Sequence, residues 1–137
     1  MTQASIQVAL DARLATLTGF ADAATAWPNK PFSPVPGTAY LAPTTTVNQR
    51  PGGAGVAGFV YWEGVYRIVA SFPSAKGTAA LLARLDAIRT HFKRGTTLTT
   101  SDNWSLIFEV PRSGVIGRDG DWFKGFVDCP FFGTETP

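Results

Sequence analysis

The sequence predicts an α+β domain, in which an antiparallel or mixed β-sheet of about five strands carries two main α-helices on one face. Two segments have apolar residues at helical spacing, and several short segments are rich in β-branched and aromatic residues. Glycine and proline separate these segments, which follow the order helix, two strands, helix, three strands. We assign residues 1–137 to a single domain.

The first helix is predicted over residues 3–18. Its apolar residues recur at steps of four, four and three and form one stripe: Ile6, Leu10, Leu14 and Leu17. Thr2 or Ser5 can cap its start. Gly19 follows the last apolar residue, where glycine favours the left-handed conformation that ends a helix.

Residues 26–37 form a Pro-rich segment that is predicted to be extended. Prolines at this density exclude a helix and a central strand: Pro28, Pro31, Pro34 and Pro36. Trp27 and Phe32 lie between the prolines, which predicts that the segment is held against the protein surface.

Two strands follow, separated by a glycine-rich stretch. Tyr40–Val47 is a strand candidate with three consecutive threonines, and Phe59–Phe72 is a second one that Pro73 ends. Asn48–Gly58 is interpreted as a long flexible loop. Gly64 predicts a bulge or a sharp bend within the second strand.

The second helix has the clearest pattern in the chain. Its predicted buried stripe consists of Leu81, Leu85, Ile88 and Phe92, with Leu82 widening it. Ser74 or Thr78 can cap its start, and Gly95 ends it. Lys93 and Arg94 are placed in its last turn, at the negative end of the helix dipole.

The last part of the chain predicts three strands, Thr96–Thr100, Trp104–Val110 and Trp122–Phe132, and a short tail over residues 133–137. Residues 101–103 form a tight turn, and Asp119-Gly120 is a hairpin-turn signal within the longer connection Pro111–Asp121. Alternation predicts that four aromatic side chains lie on the sheet face away from the helices: Trp104, Phe108, Trp122 and Phe126.

No catalytic, cofactor-binding or metal-binding pattern is present, and we predict that the protein is not an enzyme. His91 is the only histidine, and its place near a helix end predicts a structural role on the C-terminal carbonyls. Cys129 has no basic neighbour in sequence and is interpreted as a buried core residue. The stretch Gly52–Gly55 lacks the following helix of a phosphate loop, and Asp119–Asp121 lacks the further ligands of a calcium loop.

Composition predicts a surface that contacts other proteins. Charged residues make up only 16 % of the chain, against a usual value of about 25 %. The 12 basic residues are nearly matched by 10 acidic ones, and their only dense cluster is Arg89, Lys93 and Arg94, which does not favour a dedicated nucleic-acid-binding protein. A single cysteine and the lack of a long apolar run predict synthesis in the cytoplasm and no membrane partner.

The layout resembles the tail-terminator (tail-completion) family of long-tailed bacteriophages, prophages and gene-transfer agents. The resemblance spans roughly residues 3–132. After the opening helix it is carried by Trp27–Phe32, by Tyr40-Leu41 and by Gly64–Ile68. Further along it is carried by Phe72-Pro73, Gly77-Thr78, His91–Thr96 and the closing strand that ends near Pro130.

The resemblance implies a structural virion protein without an active site. It implies a ring, typically a hexamer, that caps the head-proximal end of the tail tube and ends its polymerisation. The implied partners are further copies of the chain, the major tail tube protein and the head–tail connector or stopper. DNA is expected to pass through the lumen without specific binding, and the expected location is the neck of the virion, after assembly in the host cytoplasm.

Thr46–Gly58 and Pro111–Asp121 are the predicted segments that become ordered on docking, because they are long glycine-containing connections between strands. The candidate interface residues are Arg50, Gly52, Gly53, Gly55, Trp62, Arg112, Arg118, Asp119, Asp121 and Trp122. Three alternatives stay open: another neck protein such as a stopper or adaptor, a small-ligand-binding α+β module, and a minor enzyme that uses scattered carboxylates.

Overall fold

A computed structural model describes residues 1–17, 24–28, 30–51 and 60–135. The elements are α1 (Gln3–Ala15), β1 (Tyr40–Pro51), β2 (Val60–Pro73), α2 (Gly77–His91), β3 (Thr97–Thr99), β4 (Ser105–Phe108), β5 (Arg112–Asp119) and β6 (Trp122–Glu135). A single 3₁₀ turn, Ser74–Lys76, leads into α2. The predicted α+β class is confirmed, with six strands in the described part of the chain instead of about five.

The strands form one antiparallel sheet in the order β1-β2-β6-β4-β3. β6 is long enough to have two partners on one side. Its first half pairs with β5, from Trp122 opposite Asp119 to Asp128 opposite Arg112, whereas Phe131 and Phe132 pair with β4. The sheet therefore has β1 at one edge and β5 and β3 at the other.

The connection predicted over Pro111–Asp121 is wrong in most of its length, because Arg112–Asp119 is strand β5. Its glycines have packing and backbone reasons to be there. A Cβ atom at Gly114 would lie 2.8 Å from Cε1 of Phe126, so glycine lets that ring lie flat over β5. Gly117 has φ +115° and lies where the register with β6 shifts. The predicted Asp119-Gly120 turn is confirmed, with φ +59° at Gly120.

Strands β1 and β6 extend beyond their predicted ends. β1 continues to Pro51, so Asn48–Pro51 pairs with β2 instead of starting a loop, and residues 52–59 lie outside the described residues. β6 continues to Glu135 and takes up most of the predicted tail. The long β2 strand supplies partners for both extensions.

Gly64 is not a bulge, because the register of β2 with both neighbouring strands is continuous through it. A Cβ atom there would collide with the carbonyl oxygen of Thr46 and would lie 2.8 Å from Cζ of Phe131. The glycine therefore permits close approach of a neighbouring strand and a core aromatic ring.

The two helices pack on one face of the sheet and enclose the core. The side chains of Ile6, Leu10 and Leu14 from α1 are buried, as are Leu81, Leu85 and Ile88 from α2 and Phe92 just after it. They meet the strand residues Tyr66, Ile68, Ala70, Val127, Cys129 and Phe131. The predicted stripes of both helices are confirmed, but Leu82 is 46 % exposed and does not widen the second one.

The helix ends differ from their predictions by a few residues. α1 ends at Ala15 with Thr16 as its C-cap, three residues before the predicted end, and Gly19 lies outside the described residues. α2 ends at His91, so Lys93 and Arg94 lie beyond its last turn. The predicted start at Thr2 is confirmed, where Thr2 and Ser5 form a capping box.

The Pro-rich segment passes around the β1 edge. Thr25 forms a parallel bridge with Leu41, and Trp27 packs against the margin of the core on the helix side. Phe32 then lies against Tyr40, at 5.1 Å between ring centroids, on the opposite face of the sheet. The prediction that its aromatic residues hold it to the surface is confirmed for the part that the structure describes.

Candidate assembly surfaces

The sheet face opposite the helices has no helix packed on it in the described part of the chain, although Phe32 lies against Tyr40 at the start of β1. We call it the open face. The rings of Tyr61 and Phe132 stack on it at 6.3 Å and an interplanar angle of 14°. Val65 and Ile107 on the same face are 36 % and 37 % exposed. Tyr61, Val65, Pro130 and Phe132 line a shallow depression of about 250 Å³, whose polar lining residues are Asn48, Glu63 and Glu109. Exposed apolar and aromatic side chains in one area are typical of a protein–protein contact surface.

Two of the predicted outward aromatics, Trp122 and Phe126, do lie on the open face, with alternate residues of β6 in the core. Phe108 does not: it is 1 % exposed and lies between Phe92 and Phe131 in the core. The register of β4 with β6 decides this: Phe108 pairs with Phe131, which is in the core, whereas Trp122 and Phe126 occupy the alternate positions of β6. Trp104 lies before β4 and is not in a strand.

Arg67 and Asp128 form the best-defined charged pair on the open face. Nε and Nη2 of Arg67 donate to the two carboxylate oxygens at 2.7 and 3.0 Å, which is the bidentate geometry of a strong ion pair. The guanidinium carbon lies 4.5 Å from the ring centroid of Phe126, so the cation also stacks on the aromatic face. Asp128 raises the pKa of Arg67, and the pair leaves little net charge at the centre of this face.

Strand β5 and the residues around it (residues 110–121, the β5 margin) hold four of the predicted interface residues. The side chains of Arg112, Arg118, Asp119 and Asp121 are exposed. Asp119 forms an ion pair with Lys124, with 3.2 Å between Oδ2 and Nζ. Nε of Arg118 donates to the Gly120 carbonyl oxygen at 3.4 Å. The backbone carbonyl of Asp121 accepts from the backbone N–H of Ser74 at 2.9 Å, which ties the hairpin turn to the start of α2.

The other six predicted interface residues fall outside residues 110–121, although Trp122 pairs with Asp119 across the hairpin. Arg50 belongs to β1 opposite Tyr61, while Gly52, Gly53 and Gly55 lie outside the described residues. Trp122 contacts Tyr40 edge-on at 5.1 Å, on the open face. Trp62 is only 4 % exposed on the helix side, where its Nε1 donates to Glu135 at 2.7 Å, so it offers a partner almost no surface in this position.

His91 joins the ends of the two helices, which the sequence could not indicate. Its Nε2 donates to the carbonyl oxygen of Arg13 at 2.7 Å and lies 2.9 Å from Oγ1 of Thr16. The structural role is confirmed in kind, but the carbonyl that it satisfies belongs to α1 and not to its own helix. Burial lowers the pKa of His91, and the nearby Arg13 charge lowers it further, while the hydrogen bond to the Arg13 carbonyl opposes both effects.

The remaining chemical candidates have structural explanations. Cys129 is fully buried, as predicted, and burial raises the pKa of its thiol to about 12, which keeps it protonated at neutral pH. Tyr66 donates its buried hydroxyl to Asp11 at 2.6 Å. Within residues 1–17, 24–28, 30–51 and 60–135, no three His, Cys, Asp or Glu side chains are grouped so that they could hold a metal ion. In the same ranges no helix is long and apolar enough to cross a membrane.

Several solved structures resemble this fold, two of which are described next. One, from a protein whose name states no function, matches with a TM-score of 0.77 at 15 % identity and covers 100 % of this chain and 99 % of its own. The other belongs to the virion of a native gene transfer agent (GTA) particle and matches with a TM-score of 0.57 at 19 % identity, over 96 % of this chain and 95 % of its own. At these identities they show a shared fold. Among curated proteins, none has a matching sequence.

The sequence profile of the family described as phage tail terminator protein matches residues 5–129. The matched range begins in α1 and ends within β6, so it includes both helices and the sheet that they cover. This chain is a member of the phage tail terminator family, a family of structural proteins of phage tails.

Proposed function

We propose that copies of this chain assemble into a ring, typically a hexamer, on the head-proximal end of a phage tail tube. Each copy contacts the next through two different surfaces. The ring ends polymerisation of the tube and then docks onto the head–tail connector, at the neck of the virion. DNA passes through its lumen. The family match supports the role at the tail end, and the structure of the exposed surfaces supports the assembly.

The observation that carries the proposal is the distribution of uncovered apolar side chains. Val65 and Ile107 lie on the open face, and Val115 and Ile116 lie on the β5 margin, each between 36 % and 55 % exposed. An isolated monomer gains nothing from exposing large apolar groups in neighbouring positions. Contact with other subunits removes this surface from water.

The two edges of the sheet differ chemically, as a ring contact between two different surfaces requires. Residues 40–49 of β1 carry no charged side chain and include three threonines. The β5 margin instead exposes Arg112 and Arg118 together with its valines and isoleucine. A ring in which each copy contacts the next through two different surfaces uses such an asymmetry directly.

Charge balance suits the passage of DNA. The chain has 12 basic and 10 acidic residues, and the described cations Arg67 and Lys124 on the open face each contact a carboxylate. Each free lysine or arginine that neutralises a phosphate adds affinity for DNA and would slow its movement.

The decisive experiment deletes the gene for this chain from the genome that encodes the particle. The purified protein is then added back to the resulting tails. We expect tails of uncontrolled length and no joined heads without the protein, and native mass spectrometry of complemented tails should detect a ring of this chain. Tails of normal length in the deletion strain, or a stable monomer that binds a small molecule, would contradict the proposal.

A further inference from the structure

A groove lies beside the C-terminal end of α2, where the helix side of the molecule meets the β5 margin. It has a volume of about 420 Å³. Arg89, Lys93 and Arg94 line it together with Asp86, Thr90, Val110 and Pro111. The basic cluster of the sequence therefore lies in a concave site and not on a flat surface.

The groove has an uncompensated positive charge. Arg89 is 3.9 Å from Asp86 in an ion pair whose side chains are 45 % and 75 % exposed, so solvent weakens it. Lys93 and Arg94 are exposed and form no ion pair with any residue in the described part of the chain. Three cations thus face one carboxylate.

The end of α2 accounts for only part of this charge. Cations near a helix C-terminus interact favourably with its dipole, but the effect fades within the last turn. Lys93 and Arg94 lie after α2 has ended at His91. The dipole also gives no reason for the apolar side of the groove, where Val110 is 55 % exposed beside the buried Pro111.

The combination of groups favours a protein over a nucleic acid as the occupant. Protein interfaces have an apolar centre with a charged or polar rim, and here Val110 and Pro111 are flanked by the three cations. A phosphate backbone would instead meet the carboxylate of Asp86 and the exposed side chain of Val110.

A second copy of this chain does not supply the complementary charge from its opposite edge. Residues 40–49 of β1 have no acidic side chain, and in the segment before them, residues 24–39, the only charged residue is Lys30. Asp11 lies beside this segment but already accepts hydrogen bonds from Tyr66 and Gln7, so a different protein is the better source of the acidic group.

We infer that the groove formed by Arg89, Lys93, Arg94 and Val110 binds an acidic segment of another structural protein of the particle, one that places a large apolar side chain on Val110 between two or more carboxylates. The inference rests on the proposed role of the chain at the end of the tail. It adds the surface and the chemistry by which the ring holds a neighbour that is not a copy of itself.

The test compares Lys93→Glu and the double variant Lys93→Glu/Arg94→Glu with the control Lys30→Glu. Lys30 is exposed on the other side of α1, and Lys30→Glu changes the net charge by the same amount as Lys93→Glu. Each fluorescently labelled protein is mixed with purified tails that lack this chain and, separately, with purified heads, and binding is measured by co-sedimentation at low and high salt. Circular dichroism checks that each variant is folded.

We expect the double variant to lose about tenfold or more in affinity for either tails or heads, and the control to stay within about twofold. Binding of the wild type to the tails or heads for which the double variant loses affinity should weaken as the NaCl concentration rises. Binding of the double variant should depend less on salt. Equal affinity of wild type and double variant for both structures would overturn the inference.

Short duplex DNA is added as a competitor in the same assay. Displacement of the wild type by DNA, with no competition for the double variant, would identify a nucleic acid as the occupant and overturn the inference. The proposed function fails separately, if wild-type protein neither binds tails nor corrects their length. Normal correction of tail length by wild type, with unchanged joining by the double variant, would remove only the groove from the account.

Discussion

His91 and Arg13 cap each other's helices. Nε2 of His91 donates to the carbonyl oxygen of Arg13 at 2.7 Å, and Nη2 of Arg13 donates to the carbonyl oxygen of His91 at 2.9 Å. Both carbonyls belong to last turns, and that of Arg13 also accepts from the backbone N–H of the C-cap residue Thr16 at 3.2 Å and from its Oγ1 at 2.6 Å. The two residues are 78 positions apart in the chain, so the pair fixes the packing of α1 on α2.

Replacing His91 by alanine should destabilise the protein by about 1 kcal/mol, because the Arg13 carbonyl loses one of its donors and keeps those of Thr16. Urea unfolding followed by tryptophan fluorescence measures the change. His91→Gln, which can keep a donor in reach of the Arg13 carbonyl, is the matched variant and should recover part of the loss. Equal stability of His91→Ala and wild type would show that Thr16 and water satisfy the carbonyl equally well.

Stability should also depend on pH through His91. The pKa of His91 is lowered in the folded protein, chiefly by burial, so the unfolded chain binds more protons as the pH falls through about 6.5. The stabilising contribution is therefore present above pH 6.5 and is lost below it. The urea concentration at the unfolding midpoint of the wild type should decrease as the pH is lowered from 8 to 5. The part of this pH dependence that is due to His91 should be absent from His91→Ala. Identical slopes would assign the effect to other groups.

Gly64→Ala should destabilise the fold by about 1–3 kcal/mol, since the new methyl group meets the Thr46 backbone and the ring of Phe131. Thermal unfolding measures this. Val65→Ala, at the adjacent exposed position, should change stability by about 0.5 kcal/mol or less. A Gly64→Ala protein as stable as wild type would mean that β1 and β2 can separate locally without cost.

Ile107→Asp should prevent ring assembly on tails while leaving the monomer folded. Ile107 is 37 % exposed on the open face, so a charge there costs little in the monomer but is expensive in an apolar contact. Native mass spectrometry of complemented tails, with thermal unfolding of the free protein, gives both readings. Val8→Asp in α1 is the matched apolar-to-Asp change, because Val8 is 61 % exposed on the helix side, away from the open face. Normal rings with Ile107→Asp would exclude this part of the open face from subunit contacts.

Cys129 should resist alkylation in the native protein. It is fully buried, and its pKa of about 12 leaves almost no thiolate at pH 8. Intact-mass measurement after iodoacetamide treatment should show no adduct until urea is added. Rapid labelling without denaturant would indicate that the core between α2 and β6 opens frequently.

The elements with strong periodicity could be predicted from the sequence, and those that depend on distant contacts could not. The stripe Leu81, Leu85, Ile88 predicted α2 and its buried side, because an amphipathic helix encodes its packing in local spacing. Strand β5 was missed because Gly114 and Gly117 are also loop signals. The ring of Phe126, from another strand, explains why the strand residue at position 114 is a glycine.

The candidate surfaces show the same division. Arg112, Arg118 and Asp119 were placed on a shared exposed segment by their closeness in sequence, and the structure keeps them together on the β5 margin. Trp62 is different: the alternation of β2 turns it toward the helices, and Glu135 from the end of β6 holds its indole. A one-residue change of register decides which face a strand residue occupies, and the register depends on the partner strand.

The path of the Pro-rich segment around β1 has a consequence for the life of the protein before assembly. An edge strand with open backbone groups invites pairing with any extended chain, which leads to aggregation. Here the backbone N–H of Ala26 donates to the carbonyl oxygen of Leu41 at 2.6 Å, and the prolines that follow lack the donors needed to extend a ladder. The first part of β1 is thereby closed to stray strands, which protects newly made copies until they reach their place in the particle.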